Sequence, residues 1–580
     1  MIDRLRGILH HSWRGLLAIT IVIVATYAGL WVRDQAWDRT LHLRFDNDIN
    51  NGFRWGMRAN QEGYFSIYER EGDPDEMLRV RLDYAPLRLG LMTWWTHGLL
   101  QQFEDVQLQM RYPSRAFHKR LLDFNTACGF LTAVAAGILT FHLVRWRIDQ
   151  PHAWSGTATA LIAACVTWFN PVILYNAHVW PQWDIWPMPF FLFAVYLSLK
   201  RWWLPAGILL GIGALLKGQL LMAAWVLPLW ALFMGDWRGM LKILVGLAFG
   251  LALVGMPWEI STYNPAAPVQ AFDLWDRTYD MPAIFFTAML VAFAFILPRR
   301  FSPVWICVAI TTGLACGMWQ FSGTSYWFKY AFTVGANHYP MMHLGQPSNL
   351  PALMTRAYGW DLGGIEDAVM TLPSFETPRW LLPVLPSEIG GDISLRTLLL
   401  TIFFTLSVFC AVMAAMNWRR RDPRVIVALT LPWILFFTIP AQVHERYLLY
   451  GSACCAIFLA CSRGWFLLGL VFTFIALLPT VDTTLRFNYI TPGGFDAKPF
   501  EIERLAATFI NGTFPGIAWG LMMAIVIALY GLLPAATCTG SSARRASRRA
   551  PQGASAQIPS ANLSIYRLPT IEPPTTHAKV

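Results

Sequence analysis

Charge is scarce in this chain. Only 14% of its 580 residues are Asp, Glu, Lys or Arg, 55% are hydrophobic, and the mean hydropathy is +0.41. That balance excludes a water-soluble globular enzyme and a disordered scaffold, neither of which carries so much apolar side chain with so little charge. Metal-binding and redox signatures are missing as well, since there is no Cys-x-x-Cys pair, no His-Glu-x-x-His and no Cys/His cluster. The nine cysteines fall in apolar segments or in the basic tail, so no disulfide framework is implied, and Cys454 with Cys455 reads as a pair of small core residues. Nor is there a glycine-rich phosphate loop or a long internal repeat.

Apolar runs of membrane-crossing length are present instead, repeated from Gly15 to Leu533. About 20 apolar residues cross the hydrocarbon layer as a helix, and continuous runs exclude the alternating pattern of a β-barrel. The expectation is an all-α polytopic membrane protein of about 14 transmembrane helices (12 to 14) within residues 1–534. The first span is Gly15 to Val32, and others lie near 122–144, 157–177, 183–199, 202–216, 219–234, 239–257, 282–297, 303–320, 396–416, 425–440, 448–462, 465–479 and 516–534.

The formal charge of +10 sits in short clusters between these runs, which writes topology and argues against a nucleic-acid partner. Arg145/Arg147, Lys200/Arg201, Arg238/Lys242, Arg299/Arg300, Arg419 to Arg424 and Arg463 all fall on the side of the basic N-terminus. Both termini are therefore expected in the cytoplasm, with 535–580 a disordered basic tail. Residues 34–121 and 321–395 become two outer loops. The run Leu87 to Leu100 carries Arg88 and His97 and is short, so it reads as an interfacial or re-entrant helix anchored by Trp94 and Trp95.

Polar residues on the outer side are few and concentrated. Asp46 and Asp48 stand where the chain leaves the first span; they suit a solvated loop pair, a general base, or oxygen ligands for a divalent cation. The turn from Asn176 to Asp184 packs His178, Gln182 and Asp184 beside Trp180 and Trp183, groups that suit a sugar, whose C–H face stacks on rings while its hydroxyls need partners. Lys217 interrupts an apolar run, where an ammonium needs a partner or must snorkel to the headgroups. His444 and Arg446 follow Pro440 and could hold a phosphate, or form with Glu445 a surface arrangement of little consequence.

The ordered set resembles a known family. Asp48 with Trp55 seven residues on, Asp83-Tyr84-Ala85-Pro86-Leu87, the turn His178 to Asp184, Lys217-Gly218-Gln219 and His444-Glu445-Arg446 resemble the motifs of the GT-C glycosyltransferase superfamily. The pattern is most similar to the dolichyl-phosphate-glucose-dependent glucosyltransferases of N-glycan assembly and their bacterial relatives. Ala85 replaces the first proline of their D-Y-P-P-L, and Gly218-Gln219 stands where their lysine is followed by Gln-Met. The resemblance implies an outer cavity, inverting transfer from a polyprenyl-phosphate sugar, and Asp48 as catalytic base with Asp46 as a possible second carboxylate or metal ligand. It also implies donor-phosphate contacts from His444, Arg446 and Lys217.

Sugar or acceptor contacts are expected from Asp83, Tyr84, His178, Trp180, Gln182 and Asp184. No cofactor is required, though a divalent cation is an option. The expected partners are the lipid-linked donor, a glycan, lipid or protein acceptor, and membrane lipids. The expected place is a bacterial inner membrane, with the site facing the periplasm or exterior. A lipid or solute transporter, a noncatalytic assembly subunit, and an O-antigen-type polymerase or ligase are the alternatives.

Overall fold

The computed structural model describes residues 2–39, 47–62, 85–106, 114–146, 153–261, 303–304, 307–308, 347–357, 369–376, 388–490 and 500–533. All belong to one compact unit, Met1–Leu533. Among the described residues, six helices are long and apolar enough to cross a membrane: Gly15–Asp38, Arg115–Val144, Gly156–Val179, Leu395–Arg419, Arg463–Val481 and Phe514–Leu532. Shorter apolar helices cover Met188–Leu199, Trp203–Ala214, Leu220–Phe233 and Val425–Thr438. These ten coincide with spans expected from the sequence. The expected span at 282–297 and nearly all of 303–320 lie outside the described residues, as does the tail 535–580, so the described helices do not test a total of fourteen.

The elements used below are α1 (Ile2–Arg39), α2 (Asn47–Glu62), α3 (Pro86–Gln102), α4 (Arg115–Val144), α5 (Ala153–Trp168), α6 (Pro171–Leu174), α7 (Met188–Leu199), α8 (Trp203–Ala214), α9 (Leu220–Ala224), α10 (Val226–Phe233) and α11 (Trp237–Ser261). They continue with α12 (Leu350–Ala357), α13 (Leu395–Arg419), α14 (Val425–Thr438), α15 (Leu448–Cys455), α16 (Arg463–Ile490) and α17 (Phe500–Leu532). A hairpin departs from the all-helical expectation: strands β1 (Val369–Glu376) and β2 (Glu388–Ser394) pair antiparallel, with a register shift between Leu372 and Phe375. Pro373 sits at that shift, where a residue without an N–H cannot continue the ladder. Ser394 ends β2 and caps α13, its hydroxyl accepting from the Thr397 N–H at 3.2 Å.

Basic helix ends gather in one layer. Trp146, Trp418, Trp230 and Trp203 form a chain of edge-on rings with centroids 5.0, 5.5 and 5.5 Å apart, linking the ends of α4, α13 and α10 to the start of α8. Arg419 donates to the Phe233 carbonyl at 3.0 Å, and Arg424 to those of Gly531 and Leu533. These arginines satisfy carbonyls that a helix C-terminus leaves open. Four loops that sequence places on one side thus meet at one end of the bundle.

From this layer α7, α8 and α14 extend only 12, 12 and 14 residues. At about 1.5 Å per residue that is about 18–21 Å, short of a hydrocarbon layer of roughly 30 Å. Their far ends are joined by irregular segments at 180–187, 215–219 and 439–447. Non-helical backbone at that depth is tolerated only when buried in protein, and most residues of these segments are buried.

A double glycine seam fixes one of these helices. Gly207 and Gly211 on α8 face Gly246 and Gly250 on α11, each lying against a carbonyl of the opposite helix: Ile243, Leu247, Leu204 and Ile208 respectively. Small residues four apart let two backbones touch, which is how helices associate where no hydrophobic difference drives them together. Gly211→Leu is therefore expected to destabilise the protein by about 1–3 kcal/mol or more through overpacking, whereas Gly520→Ala, whose added methyl meets nothing, should be neutral or slightly stabilising. Thermal unfolding of both variants in detergent checks this, and equal behaviour would refute the seam.

Candidate functional site

Two of the three far-end segments, 180–187 with the turn leading into it and 439–447, carry most of the sequence-predicted residues. Asn170 starts the first, its side chain accepting from the N–H groups of Val172 and Ile173 at 2.9 and 3.3 Å as it caps α6. The chain then widens into a π turn, Tyr175–Val179, before leaving the helix at Trp180. Such turns spend an extra residue per winding and re-aim the side chains after them.

Asn125, in the middle of α4, holds the loop from outside. Its amide donates to the carbonyls of Ala177 at 2.9 Å and Gln182 at 3.0 Å, and its oxygen accepts from the Trp186 indole at 2.5 Å. The turn grouped from sequence with the outer-side polar residues is buried in the protein. Trp180, Gln182, Trp183 and Asp184 are all 0–1% exposed; Asn125 serves the Gln182 carbonyl, and the groups described next serve the Asp184 carboxylate.

Asp184 is the centre. One oxygen pairs with Lys217 Nζ and accepts from the Tyr450 hydroxyl at 3.2 Å, while the other lies 3.4 Å from Arg446 Nε and 3.3 Å from the Asn176 amide. Lys217 and Asp184 are fully buried. The lysine reaches this point because α8 ends at Ala214 and a break over 215–219 delivers it at the interior end. Its ammonium also stands 4.8 Å from the Tyr447 ring centroid. The partner that an intramembrane lysine demands is thus Asp184, and snorkelling to the headgroups does not occur.

Arg446 opens the cluster outward. Its Nη1 donates to Gln182 Oε1 at 3.1 Å, and its guanidinium carbon is 5.4 Å from the Trp180 ring centroid. His444 follows at the rim, 16% exposed, with Nδ1 2.9 Å from Glu445 and its ring 5.8 Å from Trp180. Gln442, two residues before it, has φ of +62°, a left-handed turn that a non-glycine residue adopts at a cost of order 1–2 kcal/mol. Gln182 Nε2 and Asn176 Oδ1 are buried without a hydrogen-bond partner among the described residues.

His178 is not part of this group, since its Nε2 lies 3.5 Å from Thr126 on α4. Asp46, Asp83 and Tyr84 lie outside the described residues. Asp48 belongs to the first turn of α2, and only its backbone is described. That helix docks beside the centre. Gly52, one turn after Asp48, lies against the Trp183 ring, while Gly56 lies against the Met92 backbone of α3. From α3, buried Arg88 stacks its guanidinium 3.9 Å over Trp183, and the Arg88 N–H donates to the Leu215 carbonyl at 3.3 Å. The α2–α3 pair therefore touches the neighbours in sequence of both Asp184 and the Lys217 break.

Several residues of the site carry no motif of their own. Tyr450 could have been found four residues after Arg446, on the same helical face, and Asn125 as a lone amide in an apolar run.

Removing one member of a buried ion pair strands the other. Asp184→Ala is expected to cost about 3–5 kcal/mol, because Lys217 and Arg446 lose their shared carboxylate, and Asp184→Asn/Lys217→Met should recover part of the loss. Thermal unfolding of the single and double variants reads this directly, and additive losses would show that the pair contributes no coupling.

The comparisons with known proteins bear on this region. No curated protein matches the chain. Residues 119–272, about a quarter of the chain and the part that holds Asn125, the π turn, Asp184 and Lys217, match the family model of glycosyltransferase family 87, a family of GT-C-type membrane glycosyltransferases.

Proposed function

We propose that the protein is an inverting glycosyltransferase that moves a sugar from a polyprenyl-phosphate-linked donor to an acceptor hydroxyl on the outer face of the membrane. The observation that carries this reading is that two cations, Lys217 and Arg446, converge on one buried carboxylate, with exposure rising from Asp184 through Arg446 to His444. A centre so arranged suits an anion arriving at the His444 side, and a phosphate ester is the anion a lipid-linked sugar presents. The basic layer at the opposite end supports the outward orientation. Nucleotide sugars are confined to the cytoplasm, so a donor used on the outer side must cross with its lipid.

Arg446 and His444 bind the donor phosphate in this reading. Lys217 and Asp184 act as positioning residues: the lysine holds the carboxylate, and the carboxylate aims Arg446. Trp180 walls the phosphate end. Asp48 takes the proton of the acceptor hydroxyl as its oxygen bonds to the anomeric carbon. The bond from that carbon to the phosphate oxygen breaks, and its electron pair leaves with the polyprenyl phosphate, whose charge Arg446 and His444 stabilise. A single base without a nucleophilic carboxylate gives inversion. Asp83 and Tyr84, with Gln182, are assigned to sugar or acceptor contacts, and Asp46 to the flank of the base.

The test is transfer of labelled sugar from a panel of polyprenyl-phosphate sugars to endogenous acceptors, in membranes carrying matched amounts of wild type, Asp48→Asn, Asp46→Asn or Arg446→Lys. Asp48→Asn should lower transfer by about 10²–10⁴-fold, while Asp46→Asn keeps most of it and Arg446→Lys raises the KM for donor. Equal loss from both aspartates would replace the single base by a cation-holding pair. Absence of Asp48-dependent transfer from every donor would overturn the reading.

A further inference from the structure

A second feature lies at the basic end of the bundle and plays no part in the reaction proposed above. The ends of α4 and α7 and the side of α5 frame an open cavity of about 390 Å³, within the size range of small-molecule sites. Its apolar walls include Ile138 and Phe141 from α4 and Leu161 and Ala164 from α5. Its polar end is formed by His142, Arg145, Tyr196 and Lys200, and among the described residues no carboxylate lines it.

The two cations are held by rings. Arg145 lies 4.1 Å over the Phe141 ring and Lys200 5.7 Å from that of Tyr196; neither forms an ion pair among the described residues. The His142 Nε2 is buried without a hydrogen-bond partner among them. Ile138, which lines the cavity, is exposed on the bundle surface, as is Ile162 next to the lining residue Leu161. Two cations without counter-charge among the described residues, beside an apolar groove, match an amphiphile with an anionic head.

We propose that this cavity binds an acidic phospholipid, its phosphate held between Arg145 and Lys200 and one acyl chain lying along the groove between α4 and α5. A free anion would leave the apolar wall unused, and a neutral lipid would leave the cations unmatched. The site stands whether or not the transferase reading holds.

Lipid retention on the purified full-length protein tests it. Delipidated protein in neutral detergent is given dioleoyl phosphatidylglycerol, dioleoyl phosphatidylcholine or inorganic phosphate, and is followed by native mass spectrometry and thermal unfolding. Wild type should retain phosphatidylglycerol at least about tenfold better than phosphatidylcholine and gain roughly 2–4 °C in Tm with it alone. Arg145→Gln/Lys200→Gln should lose both effects, and Arg145→Lys/Lys200→Arg should keep them, which separates loss of charge from loss of fold. Leu161→Trp, which fills the groove and leaves the cations, should also lose retention. Undiminished phosphatidylglycerol binding in the Gln pair or in Leu161→Trp would overturn the proposal, as would an equal shift with phosphate or phosphatidylcholine.

Discussion

The buried carboxylate of Asp184 is the constraint around which the far end of the bundle is organised. It receives Lys217 from the break after α8, Arg446 from the segment after α14, Tyr450 from α15, and Asn176 from the π turn. Three stretches far apart in sequence are thereby tied to a single pair of oxygens. An ionised carboxylate at zero exposure is costly unless paired and hydrogen-bonded, so each of those partners is obligatory to the others. The same arrangement limits how Arg446 can point, and a guanidinium with a fixed direction is what binding of an anionic ester requires.

Broken helices make that arrangement possible. An uninterrupted span satisfies its own backbone and offers no polar groups to a neighbour, whereas α7, α8 and α14 stop short and release irregular segments into the protein interior. The glycine seam between α8 and α11 then holds the helix that delivers Lys217 at backbone contact, and the tryptophan chain at the basic end fixes the ends of α4, α10 and α13 relative to the start of α8. Geometry at one end of the bundle is set by packing at the other.

Much of this was legible in the sequence, for identifiable reasons. The long spans are written in hydropathy, and the shared side of the basic loops is written in charge; Trp146, Trp203, Trp230 and Trp418 bear out that grouping in space. Lys217 announced a need for either a partner or the headgroups, and its pairing with Asp184 decides between them. That the partner is Asp184 was not legible, since two helices and a loop separate them and periodicity carries no long-range pairing. That the polar turn 176–184 is buried was not legible, because hydropathy cannot see that Asn125, one residue within a long apolar helix, donates to its Ala177 and Gln182 carbonyls from behind. The strands β1 and β2 escaped notice because Pro373, Gly390 and Gly391 obscure their alternation. The glycine spacing on α8 and α11 was in plain view, and its meaning depends on two helices being read together.

Lys217 and Asp184 also bear on how the chain enters its membrane. They bracket the hairpin formed by α7 and α8, whose turn carries Lys200 and Arg201 at the basic end, so both charged residues belong to the end opposite that turn. Taken singly, each charge in the middle of a span costs about 2.5–3.5 kcal/mol on insertion scales. Taken as a contact pair they present one neutral dipole to the hydrocarbon. The hairpin is thus suited to insert as a unit, with the charges at its far end already neutralised by each other before Arg446, some 230 residues later in synthesis, arrives to complete the centre.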